Sequence, residues 1–286
     1  MARAIHSVDD WSDEDIESIF RRASELADGV APRHLSYALI GMCFFQTSLR
    51  TRVGFESAAH RLGLDFVEAV DRRSSAESMP ESIEDTVRVV SGYADALIVR
   101  SPRASRELHQ ATGSDVPWLN AGDAVEHPTQ ALIDVFAMER LLGPVGSLRV
   151  ALVGDMRMRS VRSLVALLKR RRASDFTLVT VPELIDGDQA GGFAAIQELP
   201  DWQPDVVYLA GIPHQAAAES VRTQLRLDRS TLSRLNERTI VLSPLPLIDE
   251  AASNARTDKR VRWFEQSDLG AYVRTAVLEL LLRGLG

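Results

Sequence analysis

Apolar positions along the chain recur first at helical and then at strand spacing, and the two patterns alternate to the C-terminus. After Ser12 and the acids Asp13, Glu14 and Asp15, residues Ile16, Ile19, Phe20, Ala23 and Leu26 mark one face of an amphipathic helix with a capping residue at its start. The run Tyr37 to Phe45 is short, apolar and bounded by polar residues, which predicts a buried strand. Arg52 to Leu62 then reads as a helix, with Gly63 as its stop. Ala96 to Val99 reads as a strand, Arg103 to Thr112 as a helix, and His127 to Leu142 as a long helix before Gly143-Pro144.

A second set follows. Leu148 to Val153, Phe176 to Val181, Val206 to Ala210 and Thr239 to Leu242 read as strands, and Ser160 to Arg172 and Ala271 to Leu282 as helices. Strands alternating with helices predict an α/β fold of two domains, each a parallel sheet flanked by helices. Turn residues cluster at Gly143-Pro144-Val145-Gly146, which sets the expected domains at 1–143, joined by the C-terminal helix 271–286, and 144–270.

Composition narrows the class. At 286 residues, 45% hydrophobic and 26% charged, the chain has the make-up of a globular protein with enough length for two cores. No segment approaches ~18 uninterrupted apolar residues, and the N-terminus shows no secretory signal, so the expectation is a cytoplasmic protein without a membrane partner. The single cysteine, Cys43, fits a reducing compartment and argues against a thiolate metal site. A net charge of −7 gives no footprint for nucleic acid.

Chemistry concentrates in a few segments. Ser48-Leu49-Arg50-Thr51-Arg52 lies between a predicted buried strand and a predicted helix, where unpaired backbone N–H groups and the positive end of the helix dipole suit a phosphate. The spacing alone is equally that of an ordinary capping run with surface arginines.

The longer segments decide between these readings. Cys43-Phe-Phe-Gln-Thr-Ser-Leu-Arg-Thr-Arg-Val-Gly-Phe-Glu resembles F-F-E-x-S-T-R-T-R-x-S-F-E of the aspartate/ornithine carbamoyltransferase family. Asn120-Ala-Gly-Asp123 followed by His127-Pro-Thr-Gln-Ala-Leu-Ile-Asp134 resembles its N-A-G-D and H-P-T-Q-x-L-x-D. Gly154-Asp155 with Arg159-Ser-Val-Arg-Ser-Leu164 resembles a third segment, and Ser243-Pro-Leu-Pro246 stands where the family has H-P-L-P-R. The order and spacing hold from about residue 7 to residue 282.

The resemblance implies that Ser48, Arg50, Thr51 and Ser75 hold the phosphate of carbamoyl phosphate. Arg100 would contact phosphate and carbonyl oxygen, and His127 would donate to that oxygen. Gln130 and the backbone of Pro244 and Leu245 would hold the carbamoyl nitrogen. Arg50, Arg100 and His127 are thus the implied catalytic residues. Positioning and fixed donors suffice for such a transfer, so neither a metal nor a cofactor is expected. A homotrimer is implied as well.

Departures from the family fall mainly on the acceptor side. Gln46 replaces a glutamate, Leu49 a threonine, Met79 a loop lysine, and Leu247 the arginine of H-P-L-P-R. Where the aspartate enzymes follow a tyrosine-containing strand with Arg-x-Gln, this chain has Gly211-Ile-Pro213 after Tyr208. Arg159 is retained, and it reads equally as a cation for a single acceptor carboxylate or as a structural ion-pair residue. The expectation is a carbamoyltransferase whose amine acceptor is not aspartate; the alternative is a catalytically silent paralogue with a structural or regulatory role, and a third reading, an aspartate enzyme with compensating contacts, is disfavoured by Gly211 and Pro213.

Overall fold

The computed structural model describes residues 3–35, 37–70, 81–173, 175–186, 192–213 and 218–283. The chain divides into two compact units, residues 1–132 with 269–286, and residues 133–268.

In the first unit the strands β1 (Ala4–Ile5), β2 (Leu39–Phe44), β3 (Asp65–Val70), β4 (Ala96–Arg100) and β5 (Trp118–Asn120) form one sheet, ordered β1-β5-β4-β2-β3. Every pairing in it is parallel. Its helices are α1 (Asp13–Ala27), α2 (Leu49–Leu62), α3 (Ile83–Ser91) and α4 (Ser105–Thr112), followed by α5 (Pro128–Leu142), which runs into the second unit. There α6 (Arg159–Arg170), α7 (Leu199–Trp202), α8 (Glu219–Leu225) and α9 (Arg229–Arg234) accompany β6 (Val150–Val153), β7 (Phe176–Val179), β8 (Val206–Leu209) and β9 (Ile240–Leu242). That sheet is ordered β7-β6-β8-β9 and is parallel throughout. The last helix, α10 (Trp263–Leu281), starts in the second unit and ends in the first.

Local chemistry accounts for most boundaries. Ser12 caps α1 reciprocally with Asp15, its hydroxyl accepting from the Asp15 N–H while the Asp15 carboxylate accepts from the Ser12 N–H. Gly63 ends α2 in the left-handed conformation, φ 69°. Two expected bounds need correction. α2 begins at Leu49 rather than Arg52, because Ser48 already has the extended backbone of an N-cap. α10 begins at Trp263 rather than Ala271; its N-terminal turns pack the buried Trp263 into the core of the second unit with Val153, Val179, Leu209 and Val241.

The first unit is pinned by a buried polar chain joining β1, α4 and β5. The Trp118 indole donates to Ser105 Oγ (2.8 Å), which lies 2.9 Å from His6 Nδ1. His6 Nε2 is 3.2 Å from His109 Nδ1, and His109 Nε2 is 3.0 Å from the Ser114 carbonyl. One set of roles satisfies every contact: the Ser105 hydroxyl donates to His6, His6 Nε2–H to His109, and His109 Nε2–H to the carbonyl, with both rings neutral.

Burial, reinforced by His109 and Arg106, lowers the His6 pKa to about 4. Between about pH 4 and 6.5 the unfolded chain therefore binds more protons than the folded one, and stability falls as pH falls through that window, by at most about 1.4 kcal/mol per pH unit. The melting temperature is expected to drop more steeply from pH 6.5 to 4.5 in the wild type than in His6→Gln; parallel curves in a thermal-shift series would refute the assignment.

Cys43 is fully buried in β2, where burial pushes its thiol up to about 12. It is a packing residue and not a nucleophile.

Candidate active site

Strand order positions the chemistry. From β2 the chain adds β3 on one side and later β4 on the other, so the connections leaving β2 and β4 diverge at their carboxyl ends. Such a switch point opens a crevice in a parallel sheet. Phe44 and Arg100 are register partners at the ends of these two strands. The segment Gln46 to Thr51 leaves one strand, and Arg100 closes the other.

Ser48 is the N-cap of α2, yet its side chain makes no capping hydrogen bond. The leading N–H groups of α2 have no acceptor within the helix, and the positive dipole end coincides with them. Arg50 and Thr51 stand on this first turn. Burial lowers the Arg50 pKa from the ordinary arginine value, the mark of a partly desolvated cation. Arg52 faces elsewhere: it pairs with Glu56 (2.8 Å) and Glu68 (3.3 Å), so it is an ion-pair residue of α2 and β3.

The sequence-predicted residues Thr51, Arg100 and His127 come together. All three are buried. Thr51 Oγ1 is 3.5 Å from His127 Nε2, Arg100 NH1 is 3.4 Å from the same nitrogen, and NH1 also donates to the Ala121 carbonyl at 3.0 Å. His127 immediately precedes Pro128, the first residue of α5, and its carbonyl accepts from the Gln130 and Ala131 N–H groups. Half-buried Gln130 thus lies on the opening turn of α5.

Two residues not assigned from the sequence belong to this cluster. Thr129 Oγ1 lies 3.5 Å from His127 Nδ1, and a hydroxyl can serve either imidazole tautomer there, including the one that leaves Nε2–H free to donate. Gly122 has φ +111°, and a Cβ on it would sit 2.5 Å from Arg100 NH1 and 3.1 Å from the His127 ring. Only glycine lets both side chains approach this turn. The rest of Asn120-Ala-Gly-Asp123 holds the turn itself. Asn120 bridges the His6 carbonyl (2.7 Å) and the Gly122 N–H (2.8 Å), while Asp123 accepts from the N–H groups of Ser105, Val125 and Glu126. The signal was present in the quoted motifs; what the sequence lacked was the close approach.

A cavity of about 300 Å³ opens beside α2, lined by Phe44, Gln46, Thr47, Ser48, Leu49, Arg52 and Val53. Of the predicted site residues only Ser48 lines it. It lies on the Leu49 and Val53 side of the helix, apart from the Arg100 and His127 cluster.

The second unit repeats the arrangement. Its strand order reverses between β6 and β8, so the loops after Val153 and Leu209 flank a switch point. Arg159 opens α6, and Asp155 before it is chelated by Arg157 through both carboxylate oxygens at 2.9 Å. Gly211 accepts from the Asp155 N–H (3.0 Å), and its own N–H points at Met158 Sδ (3.1 Å). Neither Gly211 nor Pro213 carries a charge. Beyond β9, the Ser243 hydroxyl accepts from the Leu245 N–H at 3.2 Å, and Leu245 takes φ +54°. The predicted Ser75 and Met79 lie outside the described residues.

Among the described residues no three His, Cys, Asp or Glu side chains are grouped to hold a metal, and no helix is long and apolar enough to cross a membrane.

Two parallel sheets flanked by helices, each with a switch point at its strand carboxyl ends, define a two-domain α/β protein. Residues 3–140 match the family described as aspartate/ornithine carbamoyltransferase, carbamoyl-P binding domain. The aspartate carbamoyltransferase catalytic subunit of Archaeoglobus fulgidus is 33% identical over 295 residues, spanning 97% of this chain and 98% of its own. That of Methanothermobacter thermautotrophicus is 35% identical over 302 residues, spanning 99% and 96%. Among solved structures, the catalytic subunit of M. jannaschii aspartate transcarbamoylase superposes with a TM-score of 0.84 at 29% identity, over 98% of each chain. Aspartate transcarbamoylase from Trypanosoma cruzi, in complex with carbamoyl phosphate and aspartate, gives a TM-score of 0.84 at 28% identity, over 97% of this chain and 94% of its own. The chain belongs to the aspartate/ornithine carbamoyltransferase family, and its two-domain α/β fold is the fold of these enzymes.

Proposed function

We propose that the protein transfers the carbamoyl group of carbamoyl phosphate to an amine other than aspartate. The observation that carries the donor half is the meeting of Thr51, Arg100 and His127, with Thr51 on the first turn of α2, whose N-cap Ser48 makes no side-chain capping hydrogen bond. In this reading Ser48, Arg50, Thr51, Ser75 and Arg100 receive the phosphate. The acceptor nitrogen attacks the carbonyl carbon and a C–N bond forms; the bond from that carbon to the oxygen bridging it to phosphorus breaks, phosphate leaves with that oxygen and the electron pair, and the amine proton is released. Arg100 and His127 donate to the carbonyl oxygen where negative charge develops. Gln130 and the backbone of Pro244 and Leu245 receive the carbamoyl nitrogen. The first domain serves carbamoyl phosphate and the second the acceptor. A homotrimer and a cytoplasmic location go with this reading, and the exposed Leu49 and Val53 beside the cavity support a subunit contact on that face of α2.

The acceptor assignment rests on Gly211 and Pro213, which offer no clamp for a second carboxylate; Arg159 supplies a cation for one. Phosphate release is measured with carbamoyl phosphate and a panel of amines that includes aspartate, ornithine and neutral or monocarboxylate amines. Turnover is expected to be fastest with an amine carrying one carboxylate or none. Preference for aspartate would overturn the acceptor assignment while leaving carbamoyl transfer in place, and binding without turnover on any amine would favour the silent paralogue.

The converse change is also open. A side chain at 211 would meet Met158 Sδ at 3.0 Å and Cε at 3.3 Å, the end of a flexible side chain, and Gly211 has no left-handed φ to lose. Gly211→Arg with Pro213→Gln is expected to raise kcat/KM for aspartate about 10-fold, the worth of one new charged hydrogen bond. No change in that ratio would mean that the acceptor does not pass these positions.

A further inference from the structure

A buried polar network in the second unit ends on the loop Ser243 to Pro246, and neither the transfer chemistry nor the acceptor assignment uses it. Asp134 of α5, Tyr208 of β8, Gln266 of α10 and Ser243 after β9 are all almost completely shielded from solvent. The Tyr208 hydroxyl donates to Asp134 Oδ2 at 2.7 Å, and Gln266 Nε2 donates to Asp134 Oδ1 at 2.6 Å. Gln266 Oε1 in turn accepts from the Ser243 N–H at 2.8 Å.

The direction of donation is set at both ends. A backbone N–H can only donate, so Ser243 fixes which way the Gln266 amide faces. Its NH₂ group must then meet an acceptor, and a carboxylate is the side chain that accepts on both oxygens, one for Gln266 and one for Tyr208. Burial, and then the adjoining Asp134, raise the Tyr208 pKa well above its usual value, so the phenol keeps the proton it donates.

The network carries on into the loop. The Ser243 hydroxyl accepts from the Leu245 N–H, and Leu245 holds a left-handed φ of +54° that a branched L-residue adopts at a cost. Such a conformation persists where surrounding contacts over-determine it. Here those contacts run back through Ser243 and Gln266 to Asp134.

We propose that Asp134 is a positioning residue that, through Gln266 and Ser243, sets the backbone of Pro244 and Leu245 to recognise the amino group of the carbamoyl donor. The proposal rests on the assignment of carbamoyl phosphate as donor. Its consequence is selective: the network governs recognition of the NH₂ group and leaves the phosphate seat at Ser48, Arg50 and Thr51 untouched.

Acetyl phosphate separates these effects, because it carries a methyl group where carbamoyl phosphate carries NH₂. Dissociation constants for carbamoyl phosphate, acetyl phosphate and inorganic phosphate are measured by calorimetry on the full chain. The wild type is expected to prefer carbamoyl over acetyl phosphate. Asp134→Ala removes the acceptor from Gln266 and Tyr208 and is expected to cut that preference about 10-fold, the worth of roughly one hydrogen bond, with acetyl phosphate and inorganic phosphate within about 2-fold of wild type. Asp134→Asn, whose oxygen still accepts from Gln266 while its amide donates to the Tyr208 oxygen, is expected to restore most of the preference.

Gln266→Met keeps the Asp134 to Tyr208 bond and cuts the link to Ser243. It is expected to lose the preference as Asp134→Ala does, and it replaces that variant should the alanine protein not fold. An unchanged preference in either folded variant, or an equal loss for all three ligands, overturns the positioning role. A wild type that binds none of the three ligands, or does not distinguish carbamoyl from acetyl phosphate, instead overturns the donor assignment on which the proposal stands.

Discussion

Arg50→Ala is expected to weaken carbamoyl phosphate binding about 100-fold or more, with the fold intact. Arg50 stands on the first turn of α2, where the helix dipole and N–H groups with no acceptor inside the helix already favour an anion, and its guanidinium is partly desolvated before any ligand arrives. A ligand phosphate then meets a cation that has already lost part of its water, so the charged hydrogen bonds formed there are worth about 1.5–3 kcal/mol each, and a guanidinium fork forms more than one. Arg50→Lys keeps the charge and loses the fork, so it should fall between the two. Arg52→Ala provides the contrast from the same segment. Arg52 is bound to Glu56 and Glu68, and its loss should alter stability slightly and affinity little. Calorimetry with carbamoyl phosphate reads all three, and an affinity for Arg50→Ala within a few-fold of wild type would remove the phosphate seat from this helix.

That contrast shows how far the residue pattern reaches. Arg50 and Arg52 are the same residue type two positions apart, so composition does not separate them; the family resemblance points to Arg50, and the packing of β3 beside α2 shows why Arg52 is instead an ion-pair residue. The alternation of apolar runs revealed the two parallel sheets, because a strand buried on both faces is apolar along its buried length, as β2 is and as β4 is up to Arg100 at its carboxyl end. It did not reveal β1 or β5, which are two and three residues long and too short to carry a period. In β3, Asp65 to Ala69 are exposed or half-buried, and the strand mixes acids with valines, so it stood out less than its register partner β2.

The site was legible where the chain writes it contiguously. Ser48 to Thr51 and His127 to Gln130 are local motifs. The meeting of Arg100 with His127 depends instead on the turn at Gly122, and the Asp134 network gathers residues from three elements and a loop that are separated by as many as 132 positions. Hydrogen bonds of that kind leave no spacing to read, because each partner looks like an ordinary buried polar residue in its own segment.

His127→Ala should separate chemistry from binding in the opposite sense to Arg50→Ala. With the acceptor that the amine panel identifies, kcat is expected to fall about 10²–10³-fold, the usual loss on removing one donor to a developing oxyanion. The carbonyl oxygen of bound carbamoyl phosphate carries only a partial charge, and it gains most of its negative charge as the amine adds. A donor fixed at that oxygen therefore stabilises the transition state far more than the ground state, and KM for carbamoyl phosphate should move only a few-fold. The fixation is visible: His127 is held by the Pro128 start of α5, by Thr129 at Nδ1 and by Thr51 at Nε2, with Arg100 standing 3.4 Å from the same nitrogen. Arg100 remains in the alanine variant and also donates to the carbonyl oxygen in the proposed mechanism, so residual turnover should persist above the uncatalysed rate. A variant that loses affinity and keeps kcat would make His127 a binding residue only, and one that loses neither would take it out of the reaction.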